Sequence, residues 1–304
     1  MDNLDLVAAS REHVTFLRAV HLSEKTLYAR SADLDYAIGV YRNIWLPSFD
    51  TANVKIPSLD VAWVWHLHKL DPISYHRDCL RWIGRLIDVR KGISPFCFED
   101  RPLTSDQAQI LDMQGGDAEF IGIISDRARR QSTLLWQLRW PEYDDPTFLE
   151  ESVERYKLML GLMRRHPEQF IVPTYDIDNI WHTHLAFPQN YLELCNCLVG
   201  RHVGHDDSVN DRAEGSKLRV CTAATERLWN QAFSCPWRKQ GGMYRGEPPS
   251  WYWGNRRRAA GSTPAHERHG LLSTRAVEVL GFAFGTTGEA RTPESASFRP
   301  RSAC

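Results

Sequence analysis

Two segments of this chain repeat one another, and this repeat constrains the fold more than any other feature of the sequence. Residues 56–85 and 172–201 align without a gap at an offset of 116 positions. Ten of the thirty aligned positions are identical, and they include the rare residues Trp, His, Tyr and Cys. The identical pairs are Pro57/Pro173, Asp60/Asp176, Trp65/Trp181, His66/His182, His68/His184, Pro72/Pro188, Tyr75/Tyr191, Cys79/Cys195, Gly84/Gly200 and Arg85/Arg201. The repeat predicts two copies of one small structural unit.

The spacing of apolar residues in each copy predicts a helical hairpin. A hydroxyl residue can cap the first helix, which is expected to run to about residue 70 or 186. A proline then opens the second helix at its first turn, where a missing N–H costs little. A glycine ends that second helix. These boundary residues are Ser58 and Thr174, Pro72 and Pro188, and Gly84 and Gly200.

Helical spacing of apolar residues continues outside the repeats, which predicts an all-α protein. Residues 1–234 are predicted to form one helical domain, followed by an aromatic and basic extension at 235–253. Residues 254–304 hold eight Arg against four Glu and no Lys or Asp. This composition is typical of a disordered basic tail. The predicted helices outside the repeats are 4–22, 32–46, 117–139, 146–166 and 211–233, and residues 88–116 are expected to be loop-like.

Composition narrows the class of protein. The net charge of −1 gives the whole chain no general attraction to nucleic acid or to an anionic membrane. No apolar run is long enough to predict a membrane span. The seven cysteines have no paired spacing, and the N-terminus does not resemble a secretory signal. Free thiols in a reducing compartment, and therefore a cytoplasmic location, are predicted.

The Trp-His-x-His motif of each copy is the obvious candidate for chemistry. Residues two apart point about 200° apart around a helix, so one motif cannot easily present both histidines to one ion. His68 and His184 fall on the apolar face, whereas His66 and His182 are expected at its flank. Asp178 lies one turn before His182 and can orient it. We interpret the motif as structural, with a buried, hydrogen-bonded histidine fixing the corner of each hairpin.

Other repeated residues support this structural interpretation. In each copy a Tyr and a Cys lie one turn apart on one face of the second helix. A buried cysteine behaves by default as a small apolar side chain. The residues assigned to the structural motif are Asp60, Trp65, His66, His68, Tyr75 and Cys79 in the first copy, and Asp176, Trp181, His182, His184, Tyr191 and Cys195 in the second.

A metal site is the alternative interpretation of the histidines. The run His205-Asp206-Asp207 follows only the second copy and combines imidazole and carboxylate donors. A metal-dependent hydrolase could gather its ligands from this run and from the second motif, and the metal would lower the pKa of a bound water. A second arrangement would bring His68 and His184 together from opposite sides. Because the histidines have aromatic and apolar neighbours, we expect no cofactor and no bound metal. The candidate ligands are His182, His184, His205 and Asp206.

The extension at 235–253 interleaves aromatic and basic side chains, which suits single-stranded RNA. The competing interpretation is that its aromatic residues pack on the helical body. RNA binding therefore remains an alternative function. Its candidate residues are Trp237, Arg238, Lys239, Tyr244 and Arg245.

Several separated motifs resemble those of the plant glycine-rich domain-containing proteins, in the same order. They are PSLDVAWVWHLHKLDPISYHRDC, ERYKLML, VPTYDIDNIWHTHLAFPQNY, GHDD and GGMYRGEPP, and the resemblance covers residues 1–253. In that family the region is a domain of unknown function, so the resemblance implies no catalytic residues. It implies an association with growth and stress responses. Longer family members add a glycine-rich tail and an RNA-binding motif, whereas this chain ends in a tail rich in Arg, Ser and Thr.

The sequence contains no recognisable catalytic constellation. Together with the resemblance, this favours a non-enzymatic interaction or regulatory module that acts in growth or stress signalling with an unidentified protein partner. RNA association and metal-dependent hydrolysis are the two alternatives.

Overall fold

The computed structural model describes residues 4–50, 55–89, 94–99 and 117–255. These residues form helices joined by turns and loops, and no β-strand occurs among them. The all-α fold class is therefore confirmed. Most of the predicted loop at 88–116 and nearly all of the predicted tail at 254–304 lie outside the described residues.

The helices fall close to the predicted segments. The second helix continues directly into one π-helical turn, Tyr41–Trp45, and a 3₁₀ turn, Pro141–Asp144, precedes the sixth. None of the described helices combines the length and apolar character needed to cross a bilayer. The helices are α1 (Leu6–Leu22), α2 (Ala32–Val40), α3 (Leu59–Lys69), α4 (Pro72–Ile83), α5 (Ala118–Gln137), α6 (Pro146–Arg165), α7 (Tyr175–Leu185), α8 (Pro188–Leu198) and α9 (Lys217–Ala232).

Side-chain caps explain where several helices begin. The Asp5 carboxylate accepts hydrogen bonds from two backbone N–H groups of the first turn of α1, each 3.0 Å long. The Ser31 hydroxyl accepts from the Leu34 N–H at 3.1 Å and starts α2. Asp71, Asp117, Asp145 and Ser216 cap α4, α5, α6 and α9 in the same way. Each cap satisfies an N–H group that has no partner within its helix.

Ser58 and Thr174 stand at the N-caps of α3 and α7, but their side chains do not cap these helices, contrary to expectation. The Ser58 hydroxyl donates to the Asp60 carboxylate instead, at 2.5 Å. The Thr174 hydroxyl accepts from the Arg155 guanidinium at 3.1 Å. Buried charged partners compete with the backbone for these hydroxyl groups, because an unpaired buried charge costs more than an uncapped N–H.

A proline and a glycine delimit the helix that follows each Trp-His-x-His motif. Pro72 and Pro188 occupy the first turns of α4 and α8. Gly84 and Gly200 adopt left-handed φ angles of 74° and 79° just after those helices. Glycine tolerates this conformation because it has no Cβ atom. The predicted boundaries of these helices are therefore accurate to within one or two residues.

The buried face of helix α1 packs against α3, α5, α6 and α7. Buried polar contacts tie it to α7: Asn179 donates to the Ser10 hydroxyl at 2.8 Å, and Nδ1 of His13 lies 2.9 Å from the Thr183 hydroxyl. Helix α2 covers α3 and α6 covers α7. As a result, α3 and α7 are surrounded, and the histidines that they carry are buried.

Residues 235–253, which we call the C-terminal strap, run back across the helical body. The Tyr175 N–H donates to the Gly242 carbonyl at 2.8 Å, at the start of α7. The Arg155 guanidinium on α6 donates to the Trp237 carbonyl at 2.7 Å, and Gln137 on α5 donates to the Gly246 carbonyl at 2.8 Å. Hydrogen bonds from three helices to backbone carbonyl groups of the strap thus hold it in place.

Candidate functional site

The second histidine of each Trp-His-x-His motif contacts the helix that precedes its hairpin. Nδ1 of His68 lies 3.0 Å from the hydroxyl of Tyr41, which is in the π-helical turn after α2. Nδ1 of His184 lies 2.9 Å from the hydroxyl of Tyr156 on α6. All four side chains are buried. Each hydrogen bond therefore connects the helix that carries the histidine to the helical segment before it.

The other ring nitrogen of each second histidine has a different partner. Nε2 of His68 lies 3.3 Å from the Asp78 carboxylate, and Nε2 of His184 lies 2.9 Å from the Asn190 side-chain oxygen. Burial lowers the pKa of His184 to about 4. Burial also lowers the pKa of His68, although Asp78 opposes the shift. With both nitrogens engaged, neither ring has a donor atom free for a ligand.

The repeated tryptophan and tyrosine form the same chain of hydrogen bonds in both halves. The indole N–H donates to the tyrosine hydroxyl at 2.9 or 3.0 Å. The hydroxyl then donates to a backbone carbonyl beyond the hairpin at 2.9 or 2.8 Å. The residues are Trp65, Tyr75 and Ile87 in the first half, and Trp181, Tyr191 and Val203 in the second. The repeated Cys79 and Cys195 are fully buried beside them, and burial raises the pKa of both thiols.

The repeated aspartates form ion pairs with different basic side chains. Asp60 forms an ion pair with Lys25. Asp176 forms a buried ion pair with Arg155, whose Nε lies 2.7 Å from Oδ2. The same guanidinium holds the C-terminal strap, so Asp176 connects the second hairpin to that strap.

The first histidines are fully buried, which corrects the expectation that they lie at a flank. The expectation failed because several helices pack around α3 and α7 and bury these two side chains. The two environments differ. His66 stacks on Trp63 at a centroid distance of 5.4 Å, and neither of its nitrogens has a hydrogen-bond partner among the described residues. Burial lowers the pKa of His66 well below its ordinary value.

His182, in contrast, belongs to a cluster of three metal-ligand side chains. Its Nε2 lies 3.0 Å from Nε2 of His205 and 3.4 Å from Oδ1 of Asp178. Nε2 of His205 lies 3.8 Å from the same carboxylate oxygen. Asp178 and His182 are neighbours because a spacing of four residues places them on one face of α7. Among the described residues, these three form the group of donor atoms compact enough for one ion.

The loop after α8 positions the third member of this cluster. Nδ1 of His205 lies 3.1 Å from the carbonyl oxygen of Leu70, at the end of α3. The His205 ring also stands edge-on against Trp181. The end of α3 therefore helps to orient a histidine that follows α8.

Burial and the neighbouring groups set the protonation state of the cluster. Burial lowers the pKa of His182 to about 4, against the opposing influence of Asp178. Burial acts to raise the pKa of Asp178, but His182 and His205 outweigh it and hold that pKa below its ordinary value. At neutral pH the cluster therefore contains a carboxylate and a neutral His182 imidazole, which is the protonation state needed for metal binding.

The cluster opens into a cavity of about 880 Å³, to which all three residues contribute. Residues of α5, α7, α9, the loop after α8 and the strap form its walls. Asp207 also lines it, where Arg130 donates to one carboxylate oxygen at 2.9 Å and Gln131 to the other at 3.3 Å. The volume falls within the range of about 300–1,000 Å³ that is usual for small-molecule sites.

One wall of this cavity combines aromatic rings and arginine. The Arg212 guanidinium lies 3.7 Å from the ring centroid of Tyr244 and donates to the Tyr175 hydroxyl at 2.9 Å. Arg201 also lines the cavity, is exposed, and makes no hydrogen bond or ion pair with the residues that the structure describes. These groups can contact a ligand that has both a planar ring and a negative charge.

The structure brings together only part of the metal set predicted from sequence. His182 and His205 are adjacent, whereas His184 is held by Tyr156 and Asn190 on the other side of α7. Asp206 accepts hydrogen bonds from Ser208 at 2.9 and 2.6 Å and shapes the local turn. Asp178, and not Asp206 as predicted, supplies the carboxylate beside the two histidines. The alternative pairing of His68 with His184 is not present, because each contacts its own tyrosine.

The five residues suggested for RNA binding make contacts within the protein. Trp237 is buried. Arg238 pairs with Glu226 at 2.7 Å, Arg245 pairs with Glu142 at 2.6 Å, and Lys239 pairs with Glu151. The Tyr244 hydroxyl donates to Glu247 at 2.5 Å. The strap therefore has fewer available positive charges than its sequence suggests.

Lys69 was not identified as unusual from the sequence, although its side chain is almost fully buried. Its Nζ lies 3.7 Å from the ring centroid of Trp65 and donates to the Ala186 carbonyl at 3.4 Å. Burial lowers the pKa of Lys69 to about 7. The available signal was its alignment with Leu185 of the second copy, since a charged residue replaces an apolar one there.

Comparison with known proteins gives a consistent family assignment. A family model described as glycine-rich domain-containing protein-like matches residues 94–194. Glycine-rich domain-containing protein 1 from Arabidopsis thaliana is 33% identical over 279 residues, which cover 81% of this chain and 34% of that protein. Glycine-rich domain-containing protein 2 from the same plant is 32% identical over 277 residues, which cover 81% of this chain and 35% of that protein.

The chain thus spans about a third of the length of these curated relatives. No solved structure matches it. The family model matches the part of the chain that holds α5, α6 and α7, both relatives align over most of the chain, and the chain belongs to the glycine-rich domain-containing protein-like family.

Proposed function

We propose that this protein is a non-enzymatic binding module whose ligand occupies the 880 Å³ cavity beside Asp178, His182 and His205. The observation that carries the proposal is the cavity itself, a large concave site with aromatic walls and a few convergent polar groups. The ligand class is a small molecule with a planar apolar part and an anionic group. The ring of Tyr244 would contact the planar apolar part, and Arg201 and Arg212 would contact the anionic group.

A fluorescent probe of this chemistry tests the proposal. Anilinonaphthalene sulfonate has a fused aromatic ring and a sulfonate, and its fluorescence rises in an apolar site. We expect saturable binding at one site per chain. Arg201→Ala and Arg212→Ala should each weaken binding by about tenfold, which corresponds to loss of about 1.4 kcal/mol.

Two further variants separate cavity binding from surface binding. Thr222 lines the cavity from α9, and Thr222→Trp should fill space and block the probe. Arg219 is on the same helix but does not line this cavity, so Arg219→Ala is the matched control. If the probe bound equally to all variants, or did not saturate, the cavity would not be the binding site.

The proposal extends to a regulatory role in growth or stress signalling, which is what the family resemblance suggests. The six described cysteines are free thiols, which is compatible with the cytoplasmic location expected from the sequence. A strain or line lacking the gene should respond differently from wild type to osmotic or salt stress. An unchanged growth rate under these conditions would contradict the signalling role.

We also infer that the two hairpins, with the helix before each, are two copies of one unit. Support comes from the matching Trp–Tyr–carbonyl chains and the matching Tyr–His contacts, which recur at the repeat spacing or within one residue of it. An experimental structure in which residues 56–85 failed to superimpose on residues 172–201 would contradict this inference.

RNA binding is the less favoured alternative, since acidic residues pair with the basic side chains of the strap. Salt-sensitive binding of single-stranded RNA that disappeared on truncation after residue 234 would reverse this preference. Metal-dependent hydrolysis requires an ion with an exchangeable water. Turnover of a phosphate or carboxylate ester by metal-loaded protein, abolished in His182→Ala, would replace the binding-module proposal.

A further inference from the structure

The side chains of Asp178, His182 and His205 have the spacing of a metal centre. Their three donor atoms are separated by 3.0, 3.4 and 3.8 Å. Atoms at these separations can all lie about 2.0–2.1 Å from one ion, the usual length of zinc–nitrogen and zinc–oxygen bonds. Neighbouring ligands on a tetrahedron with bonds of this length are about 3.3 Å apart, close to the mean of the three distances.

The orientation of His205 directs a lone pair toward this point. The Leu70 carbonyl can only accept a hydrogen bond, so the contact of 3.1 Å requires Nδ1 of His205 to carry the proton. In the neutral ring, Nε2 then has its lone pair directed at His182. A backbone carbonyl that holds the outer nitrogen is the arrangement usual for histidines that bind metal.

The approach of the two imidazoles requires either a proton or a metal ion between their facing nitrogens. Nε2 of His182 and Nε2 of His205 lie 3.0 Å apart, beside the carboxylate of Asp178. Two neutral rings with facing lone pairs repel, and a single shared proton is one way to relieve this. Nδ1 of His182 is buried without a hydrogen-bond partner among the described residues, so its ring is not held by a second contact. A dication would satisfy both lone pairs and the carboxylate together.

The three side chains leave one side of the cluster open, and that side faces the cavity. Asp178, His182 and His205 all line that space. The nearby carboxylate of Asp207 is occupied by Arg130 and Gln131 and does not complete a closed four-ligand site. Three protein ligands with an open position are characteristic of sites that bind an exchangeable water or a ligand oxygen.

We propose that Asp178, His182 and His205 bind one transition-metal dication, Zn²⁺ or Fe²⁺, with an open coordination position toward the cavity. Two imidazoles and one carboxylate suit these borderline metals better than Mg²⁺ or Ca²⁺, which prefer sites made of oxygen atoms. This site is independent of the proposed cavity ligand, because its donor atoms come from the protein alone. It differs from the sequence-based metal set in using Asp178 in place of His184 and Asp206.

Metal analysis of the full chain tests the proposal. The protein is purified without a histidine tag, stripped with a chelator, loaded separately with Zn²⁺ or Co²⁺ and dialysed. We expect one ion per chain by elemental analysis, and a visible d–d absorption band of the Co²⁺ form typical of four- or five-coordinate sites. His205→Gln, Asp178→Asn and His182→Ala should each weaken binding by more than about 100-fold, beyond the 10–100-fold effect of an outer-sphere partner.

Matched variants distinguish the site from adventitious binding. His202→Ala removes a histidine from the same loop, and Asp206→Asn changes a neighbouring carboxylate that binds Ser208, so both should retain one ion per chain. Circular dichroism establishes that each variant is folded, and His205→Gln, on a loop, keeps the test available if His182→Ala unfolds. Zn²⁺ should raise the unfolding temperature of wild type and of both control variants, but not that of the three variants that lack a ligand. Absence of a retained ion in wild type, or equal retention in all variants, would overturn the proposal.

Discussion

The hydroxyl of Tyr156 lies 2.9 Å from Nδ1 of His184, and neither residue lines the cavity. His184 therefore stabilises the packing of α6 on α7. We expect His184→Phe to lower the free energy of unfolding by about 2–4 kcal/mol, because it removes the hydrogen bond to Asn190 and leaves the buried Tyr156 hydroxyl without its partner. Urea denaturation followed by circular dichroism measures this change.

His66 provides the matched comparison for this substitution. It has the same motif position as His182, but neither of its nitrogens has a hydrogen-bond partner in the described structure. Replacing it with Phe exchanges a buried polar ring for an apolar ring of similar size. We expect His66→Phe to change stability by less than about 1 kcal/mol, or to increase it. A loss as large as that of His184→Phe would show that His66 has a polar partner in solution.

The buried histidines predict loss of stability at mildly acidic pH. Burial lowers the pKa of His184 to about 4, and an unfolded histidine titrates near 6.5. Between these values the unfolded chain binds more protons, so stability is fully present above about pH 6.5 and declines as the pH falls toward 4. The slope is at most about 1.4 kcal/mol per pH unit for each such histidine.

Urea denaturation between pH 7.5 and pH 5 measures that slope. The pKa of His66 is also lowered by burial, so His66→Phe should make the decline shallower. This comparison isolates one imidazole from the carboxylates, which titrate mainly below this range. If the wild type and the variant showed the same stability at every pH, His66 would not titrate on unfolding.

Gly242 of the strap is expected to be intolerant of a side chain. A Cβ atom at this position would lie 2.1 Å from Oδ1 of Asp176, while the Gly242 carbonyl accepts from the Tyr175 N–H. Gly242→Ala must therefore displace either the strap or the buried Asp176–Arg155 ion pair. We expect destabilisation by about 3 kcal/mol or more, as for disruption of a buried ion pair.

Gly122 supplies the control, because an added Cβ there would meet no atom within 4 Å and the residue lies inside α5. Gly122→Ala should stabilise the protein by about 0.5–1 kcal/mol through helix propensity. Limited proteolysis locates the damage in Gly242→Ala, since release of the strap exposes residues 235–253 to cleavage. Equal stabilities of the two alanine variants would contradict the close approach of the strap to Asp176.

Local patterns were sufficient to predict the helices and most of their ends, although α9 begins at Lys217, six residues later than predicted. Pro72 and Gly84 act through their own backbone conformations, so their effects can be deduced from the residue types alone. The missing N-caps of Ser58 and Thr174 were not predictable from local pattern, because each hydroxyl group instead binds a charged side chain, Asp60 or Arg155, that is buried by tertiary packing. The burial of His66 and His182 was also missed, since the number of helices around α3 and α7 is a property of the tertiary structure.

The candidate site, too, was predictable from the sequence only where its contacts are local. The spacing of Asp178 and His182 on one helix face was visible in the sequence. The proximity of His205 to His182 was also predicted from the sequence, whereas the hydrogen bond that orients His205 was not, because its acceptor Leu70 is 135 residues away. The burial of Lys69 likewise depends on tertiary packing. Its side chain contacts Trp65, one turn earlier on α3, and the carbonyl of Ala186 at the end of α7.

The two repeated units are expected to contribute to stability independently of one another. The hydroxyl of Tyr75 bridges Trp65 and the Ile87 carbonyl, and the hydroxyl of Tyr191 bridges its counterparts in the second half. Removal of either hydroxyl leaves a buried indole N–H and a buried carbonyl without partners, so Tyr75→Phe and Tyr191→Phe should each cost about 1–3 kcal/mol. The two bridges share no residue, and separate sites usually give additive effects. We therefore expect the double variant to lose the sum of the two single effects within about 0.5 kcal/mol. Urea denaturation of the four proteins provides the comparison, and a coupling energy above about 1 kcal/mol would show that the hairpins depend on one another through the core between them.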